Sequence, residues 1–186
     1  MKRQHPWIEQ VDRCRDILKQ MASDAGQTIG ENWKLLVAPD LLNAALSGLS
    51  RNIQIRSEIA PAIRNLRIRI PQGALAQAIR GLVKNAQEAS PTGREVCVRV
   101  DATPDALLFA IEDQGTGIAE ADLDRLGEPF FTTKPTGAGM GLGVFLARAV
   151  AERLGGGLTF ESQVGRGTVA RLSVPLSLAT REEATP

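Results

Sequence analysis

The 186 residues carry 22 Lys and Arg against 21 Asp and Glu, a formal net charge of +1. That balance excludes a dedicated nucleic-acid or membrane-surface domain, and a hydrophobic content of 43% excludes a disordered chain. The length suits one domain with an appendage. No stretch approaches the roughly 20 apolar residues that span a bilayer. The charged opening lacks the apolar core of a signal peptide, so the chain reads as soluble and cytosolic. Cys14 and Cys97 are too far apart, in unlike settings, for a disulfide framework or a metal-ligand spacing. With His5 the single histidine, a His-rich zinc site is excluded as well.

In chain order, Trp7, Val11, Cys14, Leu18, Met21 and Ala25 alternate at spacings of four and three, a heptad seam that needs a partner helix. A short helix follows Pro39, with Leu41, Leu42, Ala45, Leu46 and Leu49 facing inward. Alternation over Asn52 to Ala60 and over Leu66 to Ile70 predicts two strands. From Pro71 to Ala89 the period becomes helical, with Leu75, Ala78, Ile79, Leu82, Val83, Ala86 and Ala89 on one stripe. Val96 to Val100 and Ala106 to Ile111 form a hairpin about Thr103-Pro104-Asp105. A loop region rich in Gly, Pro and Thr covers 113 to 143. A helix from about Leu142 to Leu154 ends at Gly155-Gly156-Gly157, and strands Leu158 to Gln163 and Thr168 to Leu176 close the chain. This order predicts an α/β sandwich with helices on one face of a mixed sheet.

Three pieces carry possible chemistry. At ~100° per residue, Asn85 lies about 60° from the stripe centre at Leu82, on the flank shared by Gly81 and Glu88. Its amide oxygen suits a hard cation such as Mg²⁺, and the position suits a solvated edge residue equally. Asp113-Gln114-Gly115-Thr116-Gly117 follows a strand. A carboxylate there accepts hydrogen bonds and so favours the amino group of adenine over the oxygen of guanine, although the segment also fits a plain turn. Gly137-Ala138-Gly139-Met140-Gly141-Leu142-Gly143 runs into a helix, a phosphate cradle or a flexible loop. No dinucleotide fingerprint precedes it and no Gly-Lys-Ser/Thr is present, which excludes a P-loop.

Taken together and in this order, these pieces resemble the GHKL ATPase/kinase superfamily (gyrase, Hsp90, MutL and histidine kinases) with its Bergerat-type ATP-binding fold. Leu75 to Ala86 is similar to the N box, Asp113 to Gly117 to the first glycine box, and Gly139 to Gly143 to the second. Glu128-Pro129-Phe130-Phe131-Thr132-Thr133-Lys134 resembles the F box of histidine kinases. The resemblance covers roughly residues 35 to 178, including Gly165-Arg166-Gly167-Thr168 and Val174-Pro175. It implies that Asn85 ligates Mg²⁺, that Asp113 binds adenine with Gly115 and Gly117 shaping the pocket, and that Gly139, Gly141 and Gly143 contact phosphates. Thr168 would support the adenine site, and Phe130 and Phe131 would anchor the lid by packing. Two departures stand out: Gly81 replaces a second Asn that many histidine kinases carry, and Glu88 stands near a frequent Lys.

His5, followed by Pro6 and Trp7, is a poor phospho-acceptor, so the resemblance implies a histidine on a dimerisation bundle outside this chain. The seam helix resembles the second helix of such a bundle. The expected division is a partial bundle helix over 1–28, an ATP-binding catalytic domain over 29–178 and a tail over 179–186. Gln10 to Leu18 resembles the redox box of the RegB/PrrB sensor kinases, which implies a regulatory Cys14. Arg13 and Arg15 favour its thiolate, whereas its seam position favours inert packing. Cys97, on a strand, reads as structural. Implied partners are ATP and ADP, the histidine-bearing bundle and a response regulator, with no nucleic acid. The parent would be a homodimer in the bacterial inner membrane, and this piece a monomer or a weak or disulfide-linked dimer. A non-catalytic regulatory ATP-binding module and a GHKL ATPase of chaperone or repair type are the alternatives.

Overall fold

Residues 33–49, 54–134 and 140–176 are described by a computed structural model of the chain. The chain divides after Glu31, and all of these residues fall in the second unit. The expected seam helix, with His5 and Cys14, lies outside the described residues, as do Gly137 and Gly139.

The elements in chain order are β1 (Trp33–Val37), α1 (Ala38–Leu46), β2 (Ile55–Ile59), β3 (Arg67–Pro71), α2 (Gln72–Ala89), β4 (Val96–Ala102), β5 (Ala106–Glu112), α3 (Glu120–Leu123), α4 (Gly143–Arg153), β6 (Gly157–Gln163) and β7 (Gly167–Pro175). Five strands form one mixed sheet in the order β2-β4-β5-β7-β6. The two expected hairpins are antiparallel, with Val100 opposite Phe109 and Phe160 opposite Ala170. They are joined through β5 and β7, where Ile111 faces Ala170. The β2–β4 pair is parallel, Ile55 opposite Val96, because β3 and α2 intervene as the crossover such a pair requires.

β1 and α3 are not legible in the sequence pattern. β1 pairs antiparallel with β3 in a separate two-stranded sheet, Leu35 opposite Arg69. Its Trp33 and Leu35 are exposed, so the segment Trp-Lys-Leu-Leu-Val never alternates apolar with polar residues.

Alternate residues of the large sheet enter the core: Val98 and Val100 on β4, Leu107, Phe109 and Ile111 on β5, Leu172 and Val174 on β7. The predicted stripe of α2 packs against them, and Leu75, Ile79, Leu82 and Val83 are all buried. α1 and α4 flank α2, α4 approaching through the small buried Ala147 and Ala151. The opposite face carries exposed ion pairs, Arg99 with Glu58 and Glu112 at 2.8 Å each and Arg171 with Glu161 at 2.7 Å. Exposed pairs contribute ~0–1 kcal/mol each, whereas each fully buried Phe or Leu contributes ~1.5–3 kcal/mol, so the helix-covered face holds the fold. Cys97 is buried on β4, and that burial raises its thiol pKa, which disfavours the thiolate.

This layering sets the end of β5, the start of β7, the last turns of α2 and the start of α4 around one region.

Candidate functional site

β5 delivers Asp113 to a position where it is only 7% exposed. Its Oδ1 accepts from the backbone N–H of Gly115 at 2.8 Å and of Thr168 at 3.2 Å. Oδ2 has no partner among the described residues, and it is not among the fully enclosed polar atoms left unpaired. Oδ2 is thus left as an acceptor without a donor among the described residues. Burial raises the carboxyl pKa; the Gly115 and Thr168 N–H groups oppose that rise, and neighbouring Glu112 adds to it. The backbone reciprocates, since Asp113 N–H donates to Thr168 O at 2.9 Å.

The glycines near Asp113 permit close approaches that no side chain tolerates. A Cβ on Gly115 would lie 2.4 Å from Ala89 O at the end of α2. One on Gly117, where φ is +67°, would lie 2.1 Å from Gln163 O. Gly117→Ala is expected to cost about 2–4 kcal/mol, from left-handed backbone plus the collision. Gly165 has a similar φ of +77° but open space around it, so Gly165→Ala should cost only about 1–2 kcal/mol. Urea midpoints at constant m-value check the difference.

Thr168, 9% exposed, joins a network centred on Ser162, a residue that no motif or periodicity singles out. Ser162 Oγ accepts from Ile118 N–H at 2.8 Å, donates to Gly167 O at 2.9 Å and lies 2.9 Å from Thr168 Oγ1. The loop after Asp113 is thereby tied to the β6–β7 turn.

One turn back along α2, Asn85 is half-buried on the flank expected from helical geometry. Its Oδ1 accepts from the Lys134 ammonium at 3.1 Å, and the same ammonium pairs with Glu88 Oε2. Lys134 ends the F-box segment, where sequence pattern alone assigns it no role. An oxygen already holding one cation is chemically suited to another. Among the described residues no group of three or more His, Cys, Asp or Glu could hold a metal. A hard cation here would draw on Asn85, water and ligand oxygens.

Gly143 opens α4 directly over Asn85, where a Cβ would come within 3.3 Å of Nδ2. Gly141, at φ +67°, backs onto the main chain of the F-box segment: a Cβ there would lie 2.5 Å from Phe130 C and 2.6 Å from Phe131 O. The F-box main chain thus meets the second glycine segment at Gly141. The Phe131 ring lies 4.1 Å beneath the Arg125 guanidinium, while Phe130 is 38% exposed and held at φ +65°. Such a conformation in a bulky residue costs about 1–3 kcal/mol and marks a locally constrained turn. Gly81 faces the start of α4: a Cβ there would sit 3.6 Å from Gly143 O, an ordinary van der Waals contact, so an alanine fits at this position.

A buried carboxylate, a glycine-framed loop and a helix start beside a side-chain amide thus lie together on one edge of the mixed sheet. The family profile "Histidine kinase-, DNA gyrase B-, and HSP90-like ATPase" matches residues 71–178, and the chain belongs to this family. ATP binding is expected of such a domain. Among curated relatives, sporulation kinase E of Bacillus subtilis (strain 168) is 36% identical over 140 residues, covering 74% of this chain and 18% of its own length. Histidine protein kinase DivJ of Caulobacter vibrioides is 34% identical over 137 residues, covering 72% and 23%. The chain thus spans less than a quarter of either relative. The structure of the mycobacterial sensor histidine kinase MprB superposes with a TM-score of 0.67 at 23% identity, covering 80% of this chain and 99% of that one, a likeness of fold.

Proposed function

We propose that residues 29–178 form the ATP-binding catalytic domain of a two-component sensor histidine kinase, which directs the γ-phosphoryl of Mg-ATP to a histidine outside this chain. The observation that carries the reading is Asp113, whose Oδ1 is fixed by two N–H groups while Oδ2 stays open to accept from an adenine amino group. Gly115 and Gly117 shape the pocket indirectly, by letting the loop after β5 press against the main chain of α2 and β6 and so hold Asp113 in place, and Thr168 borders it. Asn85 would hold Mg²⁺, which neutralises phosphate charge when bound. Gly141 and Gly143 bring N–H groups and the positive end of α4 toward phosphate, and Gly139 extends that run in the sequence. Catalysis by this domain is then positioning and charge stabilisation, with the acceptor supplied by the bundle.

Radiolabelled ATP supplied with a separately expressed histidine-bearing bundle tests the activity. Label transfer to the bundle is the expected outcome. Binding without transfer would instead identify a regulatory module, and steady hydrolysis without any bundle would identify an ATPase of the chaperone or repair type.

The division into a bundle helix over 1–28 and a tail over 179–186, a response-regulator partner and an inner-membrane homodimeric parent belong to the same proposal. The likeness of Gln10 to Leu18 to the RegB/PrrB redox box adds regulation through Cys14. Mild oxidation should yield a dimer on non-reducing electrophoresis that Cys14→Ala abolishes. A monomer under every oxidant would leave Cys14 as packing. Among the described residues no helix is long and apolar enough to cross a membrane.

A further inference from the structure

Asp113, Thr168 and Ser162 form one cross-strand row. Thr168 pairs with Ser162 between β7 and β6, and Asp113 follows Glu112, which pairs with Val169 on β7. Side chains alternate along a strand, so all three fall on the helix-covered face, one row beyond the apolar Ile111, Ala170 and Phe160. Neighbouring strands lie ~5 Å apart, which puts the Thr168 side chain beside that of Asp113 at the end of the sheet.

The direction of each hydrogen bond in this row follows by elimination. A hydroxyl has one proton to donate and two lone pairs with which to accept. Ser162 Oγ lies 2.8 Å from Ile118 N, 2.9 Å from Gly167 O and 2.9 Å from Thr168 Oγ1. The Ile118 N–H can only donate, so it occupies one lone pair. The Gly167 carbonyl can only accept, so it takes the single Ser162 proton. Only the second lone pair is left, and the bond between the two hydroxyls therefore runs from Thr168 to Ser162. Because β7 lies between β5 and β6, that proton points away from Asp113. The Thr168 lone pairs have no donor among the described residues. Asp113 Oδ1 is already taken by two N–H groups, and its Oδ2 is an acceptor too. The Asp113–Thr168 pair thus presents acceptors and no side-chain donor.

We propose that Ser162 is a positioning residue that sets base specificity through Thr168: it holds the Thr168 hydroxyl as an acceptor, so that the row takes an amino group and rejects an oxygen in its place. This deepens the nucleotide reading above and rests on it. An amino group brings two hydrogens, one for Asp113 and one for Thr168. A purine with a carbonyl at that position sets a lone pair against both. A threonine free to rotate would donate to the oxygen as readily as it accepts from the amino group, and would not discriminate. Ser162, with every valence engaged, removes that freedom before a ligand arrives.

Calorimetric competition of the full chain with ATP and with ITP, whose base carries an oxygen in place of the amino group, tests the assignment. Ser162→Ala frees the Thr168 hydroxyl, so the ATP-to-ITP affinity ratio should fall about fivefold or more, with ITP binding tighter. Ser162→Thr keeps the oxygen and should keep the ratio. Thr168→Val leaves the backbone N–H on Asp113 and should also lower the ratio, with ITP no weaker than in the native chain. Adding Ser162→Ala to Thr168→Val should change the ratio no further, whereas mere loosening of the loop would lower it in either background. The Thr168→Val arm decides the matter even where Ser162→Ala fails to fold. Equal binding of ATP and ITP by the native chain, an unchanged ratio in Ser162→Ala, a further fall in the double variant, or ITP weakened by Thr168→Val would overturn the role of Ser162 while leaving the nucleotide site intact. A native chain that binds neither nucleotide would sink the nucleotide reading and this assignment with it.

Discussion

Asp113→Asn is expected to abolish the preference for adenine nucleotides while leaving the domain folded. The substitution keeps an acceptor for the Gly115 and Thr168 N–H groups, which Asp113→Ala would strand. It replaces the open Oδ2 by an NH₂ donor. A donor facing the adenine amino group leaves both unpaired, so ATP affinity should fall on the order of 100-fold or more. Guanine presents an acceptor at that place, and the ATP-to-GTP affinity ratio should approach or pass unity. Competition titrations read it, and an unchanged ratio would reject Asp113 as the base-reading group.

The same variant carries a pH signature. The folded carboxyl has its pKa raised above the ordinary value of 3.8, chiefly by burial. Between the ordinary and the raised value the folded state binds more protons than the unfolded one, so stability falls as pH rises through that window. The asparagine variant has nothing to titrate there. Its urea midpoint relative to the native chain should therefore climb across the acid range and then level off. A difference flat with pH would refute the burial origin of the shift.

Asn85→Ala is expected to remove the Mg²⁺ dependence of ATP binding and to slow phosphoryl transfer to a bundle histidine by on the order of 10²–10³, since a metal contributes several kcal/mol of transition-state stabilisation. Adenosine, which has no phosphates to share with a metal, should bind the variant as it binds the native chain. A variant with undiminished Mg²⁺ dependence would show that the cation is held elsewhere.

Much of the layering is legible in the sequence because period is a property of single elements. The stripe of α2 and the alternation of β4, β5 and β7 reveal a buried face without any partner in view. Counting degrees from Leu82 puts Asn85 on the flank of α2 for the same reason, and it lies there. β1 is not legible: with Trp33 and Leu35 exposed it has no alternation, and only β3 defines it as a strand. Ser162 and Lys134 escape a sequence reading because their meaning is entirely long-range. Ser162 is 44 residues from the Ile118 N–H it receives, and Lys134 is 49 from Asn85.

The glycine contacts around Asp113 bear on how the site could be addressed by small molecules. Gly115 abuts Ala89, Gly117 abuts Gln163, and a Cβ on Gly167 would lie 2.1 Å from Asp113 O. Main chain from α2, from the loop after β5 and from the β6–β7 turn is interlocked there before any ligand arrives. Little ordering cost remains for a flat heterocycle to meet. Phosphate-free purine fragments with an amino group for Asp113 should thus be efficient starting points for competitive inhibitors. Selectivity against other members of the family would have to come from side chains beyond that interlocked backbone.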